Sequence, residues 1–507
     1  MRALLSVYDK TGLVELATGL VDLGWELIAS GGTAEALREA GLPHLTVEQL
    51  TGLSPMLGHR VVTLHPSIHG GILADRSDPQ HLADLEAAGI EGIDLVVCNL
   101  YPFRERPGID TIDIGGVAMV RAAAKNHESV GVVVDPAEYA GVLAELRSEG
   151  ALSGPTRRRL ARAAFACTAT VDAAIVAFFD AGGAGGEPER LPPTLHLSLE
   201  RAGSLRYGEN PHQEAARYRF AGGRAWWDEV VQHSGLALSY LNLLDAEAAW
   251  RLVHELGRGD ARAAAAVIKH ANPCGAAVDD DPLVACRRAV ESDPISAFGG
   301  IVALNRPMSE ATATQLAAGP QADVVVAPGY EEGAVAVLRA RRRNTRILEA
   351  PPPLPSSLSY RQVGGGFLVQ EADRFVAGRD QWRVPTKAKP TPDQWDDLEL
   401  AWQVCAFTTS NAVVLVADGR AVGVGAGQQS RVESAEIAAR KAAGRAKGGA
   451  AASDGLFPFR DGLDAVAASG VAAVVQPGGS VNDEEVIAAA DEHGIVMVLT
   501  GERHFRH

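Results

Sequence analysis

The chain has 507 residues, enough for two or more domains, and is 47% hydrophobic with 5% aromatic residues, 54 glycines and a formal net charge of −16. That charge excludes non-specific binding to nucleic acid polymers or acidic membranes, but not small anionic ligands, which answer to local fields at helix N-termini. No run of 18 apolar residues occurs, Met1-Arg2-Ala3-Leu4-Leu5-Ser6 has no signal-peptide design, and the five scattered cysteines (Cys98, Cys167, Cys274, Cys286, Cys405) signal neither disulfides nor a metal site, so a cytoplasmic protein without a membrane partner is expected.

In chain order, Ala3–Val7 predicts a strand, and Lys10-Thr11-Gly12 opens an amphipathic helix with Leu13, Leu16 and Leu20 on one face. Glu26–Ala29 predicts a second strand, followed by Ser30-Gly31-Gly32-Thr33 and a helix over Ala34–Ala40. Such a succession makes a phosphate cradle: glycines let N–H groups converge, hydroxyls donate, and the helix N-terminus favours an anion. An ordinary βα turn is the plainer reading. Further polar groups stand at strand ends and loops, in Arg60-Val61-Val62-Thr63-Leu64-His65-Pro66, in Leu100-Tyr101-Pro102-Phe103 after the buried strand Asp94–Asn99, and in Ile112-Asp113-Ile114-Gly115-Gly116. The following helix carries Arg121 and Lys125, four apart on one face, where a solvated face accounts for either taken singly.

Taken in order, Ser-Val-x-Asp-Lys-Thr-Gly, Ala-Ser-Gly-Gly-Thr, Thr-Leu-His-Pro, Asn-Leu-Tyr-Pro-Phe, Ile-Asp-Ile-Gly-Gly and Arg-Ala-Ala-Ala-Lys-Asn-His resemble the inosine monophosphate (IMP) cyclohydrolase half of the bifunctional purine-biosynthesis enzymes. The resemblance implies a methylglyoxal-synthase-like Rossmann variant over residues 1–185. It implies that Ser6, Lys10, Ser30, Gly31, Gly32 and Thr33 hold the ribose phosphate. Tyr101 and Asp113 would orient or relay protons, Lys125 would be the main acid/base group, and Arg60, Thr63 and Asn99 would complete the pocket. One departure stands out: the family reads Arg-Val-Lys-Thr-Leu-His-Pro where this chain has Val62, which can neither donate a proton nor offset negative charge.

Ala181-Gly182-Gly183-Ala184-Gly185-Gly186-Glu187-Pro188 reads as a flexible break, with a linker over 186–197 and a second domain over 198–507. Leu205-Arg206-Tyr207-Gly208-Glu209-Asn210-Pro211 is a polar loop whose Arg-Tyr pair suits a phosphate and a ring. In Ala266-Val267-Ile268-Lys269-His270-Ala271-Asn272-Pro273-Cys274-Gly275, an apolar strand delivers a fixed cation and a group that titrates near neutrality to its carboxyl end, and Pro273 and Gly275 are expected to break the backbone there. Two solvated residues at a strand end are the plainer alternative. Pro273-Cys274 has a counterpart in zinc nucleobase deaminases, but His270 is followed by Ala271-Asn272 and Cys274 by Gly275-Ala276-Ala277, so the zinc ligands and the general-acid Glu are missing and a zinc deaminase is excluded. Strand, polar turn and helix occur twice, around 264–290 and 411–445, which suggests a duplicated α/β architecture. In the second, Gly425-Ala426-Gly427-Gln428-Gln429-Ser430-Arg431 suits an anion before a helix from Ser434.

This half resembles the aminoimidazole carboxamide ribonucleotide (AICAR) formyltransferases, whose fold is a pair of cytidine-deaminase-like subdomains without zinc. The resemblance implies an α/β enzyme with no prosthetic group and no metal. It would use 10-formyltetrahydrofolate as co-substrate, act on AICAR, form the formylated intermediate (FAICAR) and then IMP, and work as a homodimer. His270 would be the base and Lys269 the stabiliser of the oxyanion or departing nitrogen. Arg206, Tyr207, Gly299, Asp323, Asn411 and Arg431 match nucleotide-holding positions, and Ser480 and Arg503 positions near the folate. Thr409 stands where a lysine is expected, and Leu456 where some relatives have an aromatic residue. Two other readings stay open: a formyltransferase with a silent first domain, which Val62 favours, and a non-enzymatic nucleotide sensor, which the intact Lys269-His270 pair opposes.

Overall fold

The computed structural model describes residues 1–58, 60–258 and 262–507. Contacts divide them into two units, Met1–Leu199 with Phe220–Gly222, and Glu200–Arg219 with Gly223–His507. Residues 186–197 thus group with the first unit.

The first unit is built on five parallel strands in the order Leu45–Thr46, Glu26–Ala29, Arg2–Leu5, Leu95–Val97, Gly131–Val133. Alternation along each strand feeds two cores. Ala3, Leu5, Leu27 and Val97 meet the helices Leu13–Asp22 and Tyr139–Glu149, while Leu4, Ile28, Val96 and Val132 meet Pro66–Leu73 and Gly115–Lys125. The strand order reverses between Arg2–Leu5 and Leu95–Val97, so the crevice for a ligand opens at the carboxyl ends of those two strands. Gly154–Asp180, 27 residues long, has the length and composition of a membrane span. Its first turns carry Arg157, Arg158, Arg159 and Arg162, and it packs on Gly115–Lys125 and Gly131–Val133 through Leu160, Ala161 and Ala164.

The second unit holds an eleven-stranded mixed sheet in which one five-stranded motif occurs twice, with Val231–Ser234 added as an edge strand beside Arg346–Glu349. The first copy orders its strands Asn272–Asp279, Ala263–Lys269, Gly300–Leu304, Ala322–Ala327, Arg346–Glu349. The second orders them Arg420–Gly425, Val413–Ala417, Ala450–Ser453, Ala473–Gln476, Val496–Leu499. In each copy a hairpin comes first, then an antiparallel neighbour, then two parallel strands, and the copies join through antiparallel pairing of Asn272–Asp279 with Arg420–Gly425. One face is a single core under the helices Tyr240–Leu256 and Pro392–Ala406, anchored by the buried Trp250 and Trp402. The other face carries two separate cores, one per copy. Glycine permits the helix–strand contact in both: a Cβ at Gly275 would overlap the Ala289 carbonyl oxygen, and one at Gly423 that of Ala438.

The chain does not break at Pro273. Instead His270 and Ala271 form a two-residue turn between paired Lys269 and Asn272, and Pro273-Cys274-Gly275 lies inside the next strand at a register shift. A bulge tolerates the missing proline N–H, and Gly275 is there for packing rather than for turning.

Candidate active sites

In the first unit Ser30 precedes the helix Gly31–Glu39, which begins three residues earlier than the sequence predicts because Gly31 and Gly32 form its first turn rather than a loop. The Ser30 hydroxyl does not cap its own helix; it shares a hydrogen bond with the Ser6 hydroxyl at 3.0 Å. Gly31 takes φ +47, and a Cβ on Gly32 would come within 3.6 Å of the Lys10 ammonium. A bare helix N-terminus, two hydroxyls and a cation thus converge where the sheet order reverses, a place suited to a phosphate. Asn99 builds this corner from behind. Its side-chain oxygen accepts from Tyr8 and Asp9 N–H at 2.6 and 2.9 Å, and its amide donates to the Asp9 carbonyl at 2.8 Å.

Thr33 is corrected. It is buried, accepts from Val7 N–H at 2.9 Å and donates to the Val7 carbonyl at 3.1 Å, so its hydroxyl is occupied by the fold and is not available to a phosphate. Tyr101 is exposed and stacks edge-to-face on Tyr8, ring centres 5.4 Å apart. Tyr8 was not singled out by the sequence, because it is the free position of its motif.

A second helix N-terminus flanks the crevice. Asp113 accepts from Gly116 N–H at 2.8 Å, and burial raises its carboxyl above the ordinary range despite the N–H groups of Gly116 and Val117. The Cys98 thiol, next to Asn99, donates to the Gly116 carbonyl at 3.9 Å. Thr63 is buried, with its hydroxyl 2.7 Å from where a Gly115 Cβ would stand. Arg60 is exposed and paired with Asp110 at 3.0 Å. Val62 is partly buried against the core that includes Ile28 and Cys98, so the position where the family has a lysine is used for packing.

Lys125 stands at the far end of the helix from Asp113. It ends the helix that Gly115 begins, exposed, and nine residues from Gly116 means about 13 Å along the axis and the opposite face. Arg121, on its face, lies over the Phe165 ring at 5.5 Å.

In the second unit Lys269 ends its strand and donates to the Phe298 carbonyl at 2.7 Å, beside Gly299 at φ +75. His270 and Ala271 both take left-handed conformations, φ 54 and 60, which cost non-glycine residues roughly 1–2 kcal/mol each. Asp245, buried on Tyr240–Leu256, accepts from their N–H groups at 3.3 and 2.7 Å. The sequence signal for Asp245 was an acid on an otherwise apolar helical face, and it was missed.

Around this turn the predicted residues fall into two groups on one edge of the sheet. That edge is the carboxyl end of Ala263–Lys269 but the amino end of Gly300–Leu304 and Ala322–Ala327, since the sheet is mixed. On one side Arg206 lies over the Tyr207 ring at 5.3 Å. Asp323, Arg206 and Tyr207 all act electrostatically on the buried Arg346, which donates to the carbonyls of Leu236 and Ala237 at 3.2 and 3.3 Å. Burial holds Arg346 below the usual arginine value. It too escaped the sequence reading, being one cation opening an apolar strand.

On the other side Asn411 accepts from Arg431 at 2.9 Å and donates to the Gln428 and Gln429 carbonyls. Arg431, the first residue of its helix rather than part of the preceding loop, pairs with the buried Asp454 and donates to Ser453 at 3.1 Å. A cleft of about 690 Å³ opens here, lined by Asn411, Arg431, Leu456, Phe459, Arg503 and Phe505 among others, with Arg503 over the Phe505 ring at 4.5 Å. Ser480 follows Ala473–Gln476 and accepts from Asn482 N–H at 3.2 Å. Thr409, at the expected-lysine position, donates its N–H to Asn272 at 2.8 Å, which ties this group to the turn. Asp323 lies on Ala322–Ala327 and Asn411 just before Val413–Ala417, strands five places apart in the sheet, about 24 Å at one strand spacing each. Among the described residues no cluster of His, Cys, Asp or Glu could hold a metal ion.

A family model described as AICARFT/IMPCHase bienzyme matches residues 123–441, more than half of the chain, and one described as MGS-like domain matches residues 12–127. A curated relative, the bifunctional purine biosynthesis protein PurH of Sorangium cellulosum (strain So ce56), is 49% identical over 528 residues, spanning 100% of this chain and 99% of that protein. The chain belongs to the AICARFT/IMPCHase bienzyme family. It does so as an α/β protein with an MGS-like first domain and a bienzyme-type second domain. The bienzyme match takes in Asn411 and Arg431 but ends before Leu456, Phe459, Arg503 and Phe505 of the same cleft, which the full-length relative covers. A solved structure, "Crystal structure of ForH", is 39% identical, covering 35% of this chain and 98% of that one at a TM-score of 0.32, a likeness that carries no weight for the fold.

Proposed function

We propose that this bifunctional purine-biosynthesis enzyme runs its two reactions at the two places described, one in each unit. The second unit transfers a formyl group from 10-formyltetrahydrofolate to the 5-amino group of AICAR, and the first closes FAICAR to IMP with loss of water. The observation that carries the reading is the full-length likeness to a bifunctional PurH together with a cation–imidazole turn in one unit and a phosphate corner in the other.

The AICAR amine is a weak nucleophile because the neighbouring carboxamide withdraws electron density. As its nitrogen bonds to the formyl carbon, His270 takes its proton and later returns one to the folate nitrogen as the C–N bond breaks. Lys269 offsets the oxyanion of the tetrahedral intermediate. Arg431 with Asn411, and Arg206 with Tyr207 and Asp323, bind the nucleotide. The cleft with Arg503 and Ser480 takes the folate, with Phe459 and Phe505 as its flat apolar walls. The two nucleotide-binding groups are too far apart for one nucleotide to touch both, and this supports a homodimer in which each site takes one group from each chain. The compartment expected of such an enzyme is the cytoplasm.

Ring closure forms a bond between the carboxamide nitrogen and the formyl carbon and expels water. It is intramolecular, so holding the two ends together supplies much of the rate. Lys10, Ser6, Ser30 and the N–H groups of Gly31 and Gly32 hold the phosphate. Asp113, with Tyr101 as its partner, takes the proton released by the attacking carboxamide nitrogen and delivers one to the oxygen that leaves as water. Lys125 assists at most from a distance. The second reading, a silent first domain, rests on Val62.

Feeding FAICAR alone and following IMP by absorbance separates the two readings. A rate far above the uncatalysed background is expected. A background rate that Val62→Lys restores would establish the silent-domain reading instead.

A further inference from the structure

The duplicated sheet lets one turn be compared with its own copy. In the second copy the hairpin turns at Asp418-Gly419, φ 53 and 70, and Asp397 of Pro392–Ala406 accepts from both N–H groups at 3.0 and 2.7 Å. In the first copy the turn is His270-Ala271, φ 54 and 60, and Asp245 occupies the same place on the matching helix. Asp-Gly enters this left-handed turn readily, whereas His-Ala does not. The carboxylate clamp is common to both, but only the first copy depends on it. The turn that carries the proposed base is also the one whose own residues disfavour its shape. Asn272 adds a second tie, donating to the His270 carbonyl at 3.2 Å while accepting from Thr409 N–H.

We propose that Asp245 is a positioning residue for formyl transfer: it holds the His270-Ala271 turn in its left-handed form and so fixes the backbone from which the His270 imidazole projects. This rests on His270 being the base. Asp245 touches no substrate in this account. It acts through the two N–H groups, its charge also facing the His270 imidazole and Arg506, and an ångström of drift in a base is enough to slow a proton transfer severely.

The test compares full-length variants by the kcat and KM of formyl transfer, with FAICAR closure and thermal stability as internal controls. Asp245→Asn is expected to lower formyl-transfer kcat at least about tenfold while KM for AICAR stays within about twofold and FAICAR closure is unchanged. Asp397→Asn, which removes the clamp of the copy, is expected to cost no more stability than Asp245→Asn and to leave formyl-transfer kcat within about twofold. Ala271→Gly, added to Asp245→Asn, is expected to restore most of the lost kcat, because glycine takes the turn unaided. Equal kcat losses from the two aspartate variants, a change in KM alone, or no rescue by glycine would each overturn the proposal. Should Asp245→Asn not fold, the double variant is set against Ala271→Gly alone: near-equal kcat supports the clamp, and a gap of about tenfold or more overturns it. His270→Ala keeps the two ideas apart. Full turnover in that variant sinks the assignment of the base, whereas lost turnover there with an undiminished Asp245→Asn sinks only the positioning role.

Discussion

Hydroxyls and charges of the same type do different work here, and the distinction is measurable residue by residue. Thr33 and Ser30 stand three apart at one helix start, yet Thr33 is spent on both polar groups of Val7 while Ser30 faces Ser6 across the crevice. Thr33→Val leaves a buried N–H and carbonyl unpaired, so it is expected to cost about 1–3 kcal/mol of stability by chemical denaturation and to leave the FAICAR KM nearly unchanged. Lys10→Ala removes a charge-assisted contact instead, and FAICAR closure is expected to fall roughly tenfold to a hundredfold with stability intact. His504 is a third case. Burial works against its charged form, but the Asp373 carboxylate at 2.8 Å, with Glu502, outweighs it and raises the imidazole above 6.5. A folded value above the unfolded one means that the stabilisation is fully present below pH 6.5 and is lost as pH rises through the raised value. The stability gap between the wild-type and His504→Gln is therefore expected to be widest in acid and to close toward alkaline pH.

At the scale of elements, periodicity was a good guide and turns were not. Leu13, Leu16 and Leu20, the strand Glu26–Ala29 and the recurrence around 264–290 and 411–445 all reappear as written, because apolar spacing reports directly on which face is buried. Proline and glycine misled at Pro273 and Gly275, where a break was expected and a strand is found. The real turn falls on His270-Ala271, whose residues carry no turn signal because its shape is imposed from outside by Asp245. Lys125 illustrates a related limit: spacing puts a residue on a helix, but not at which end of the site it will lie. Gly275→Ala and Gly423→Ala test the packing account. Each pushes a Cβ into a helix carbonyl, so each is expected to lose about 1–3 kcal/mol or fail to fold, a penalty not expected of Gly364→Ala, where the space is open.

For the whole molecule, the two units have separate sheets and separate cores, and the proposed function divides its two reactions between them. In the homodimer proposed for formyl transfer, groups some five strands apart in one chain would serve different sites, whereas the groups of the phosphate corner all come from the first unit of one chain. Dilution below the dissociation constant of the dimer is therefore expected to abolish formyl transfer while FAICAR closure per chain persists, measured by stopped assays across a concentration series. The most direct test of the division is His270→Ala assayed twice, once with AICAR and 10-formyltetrahydrofolate and once with FAICAR. The account predicts no formyl transfer and wild-type ring closure. Loss of both activities, or retention of both, would contradict it.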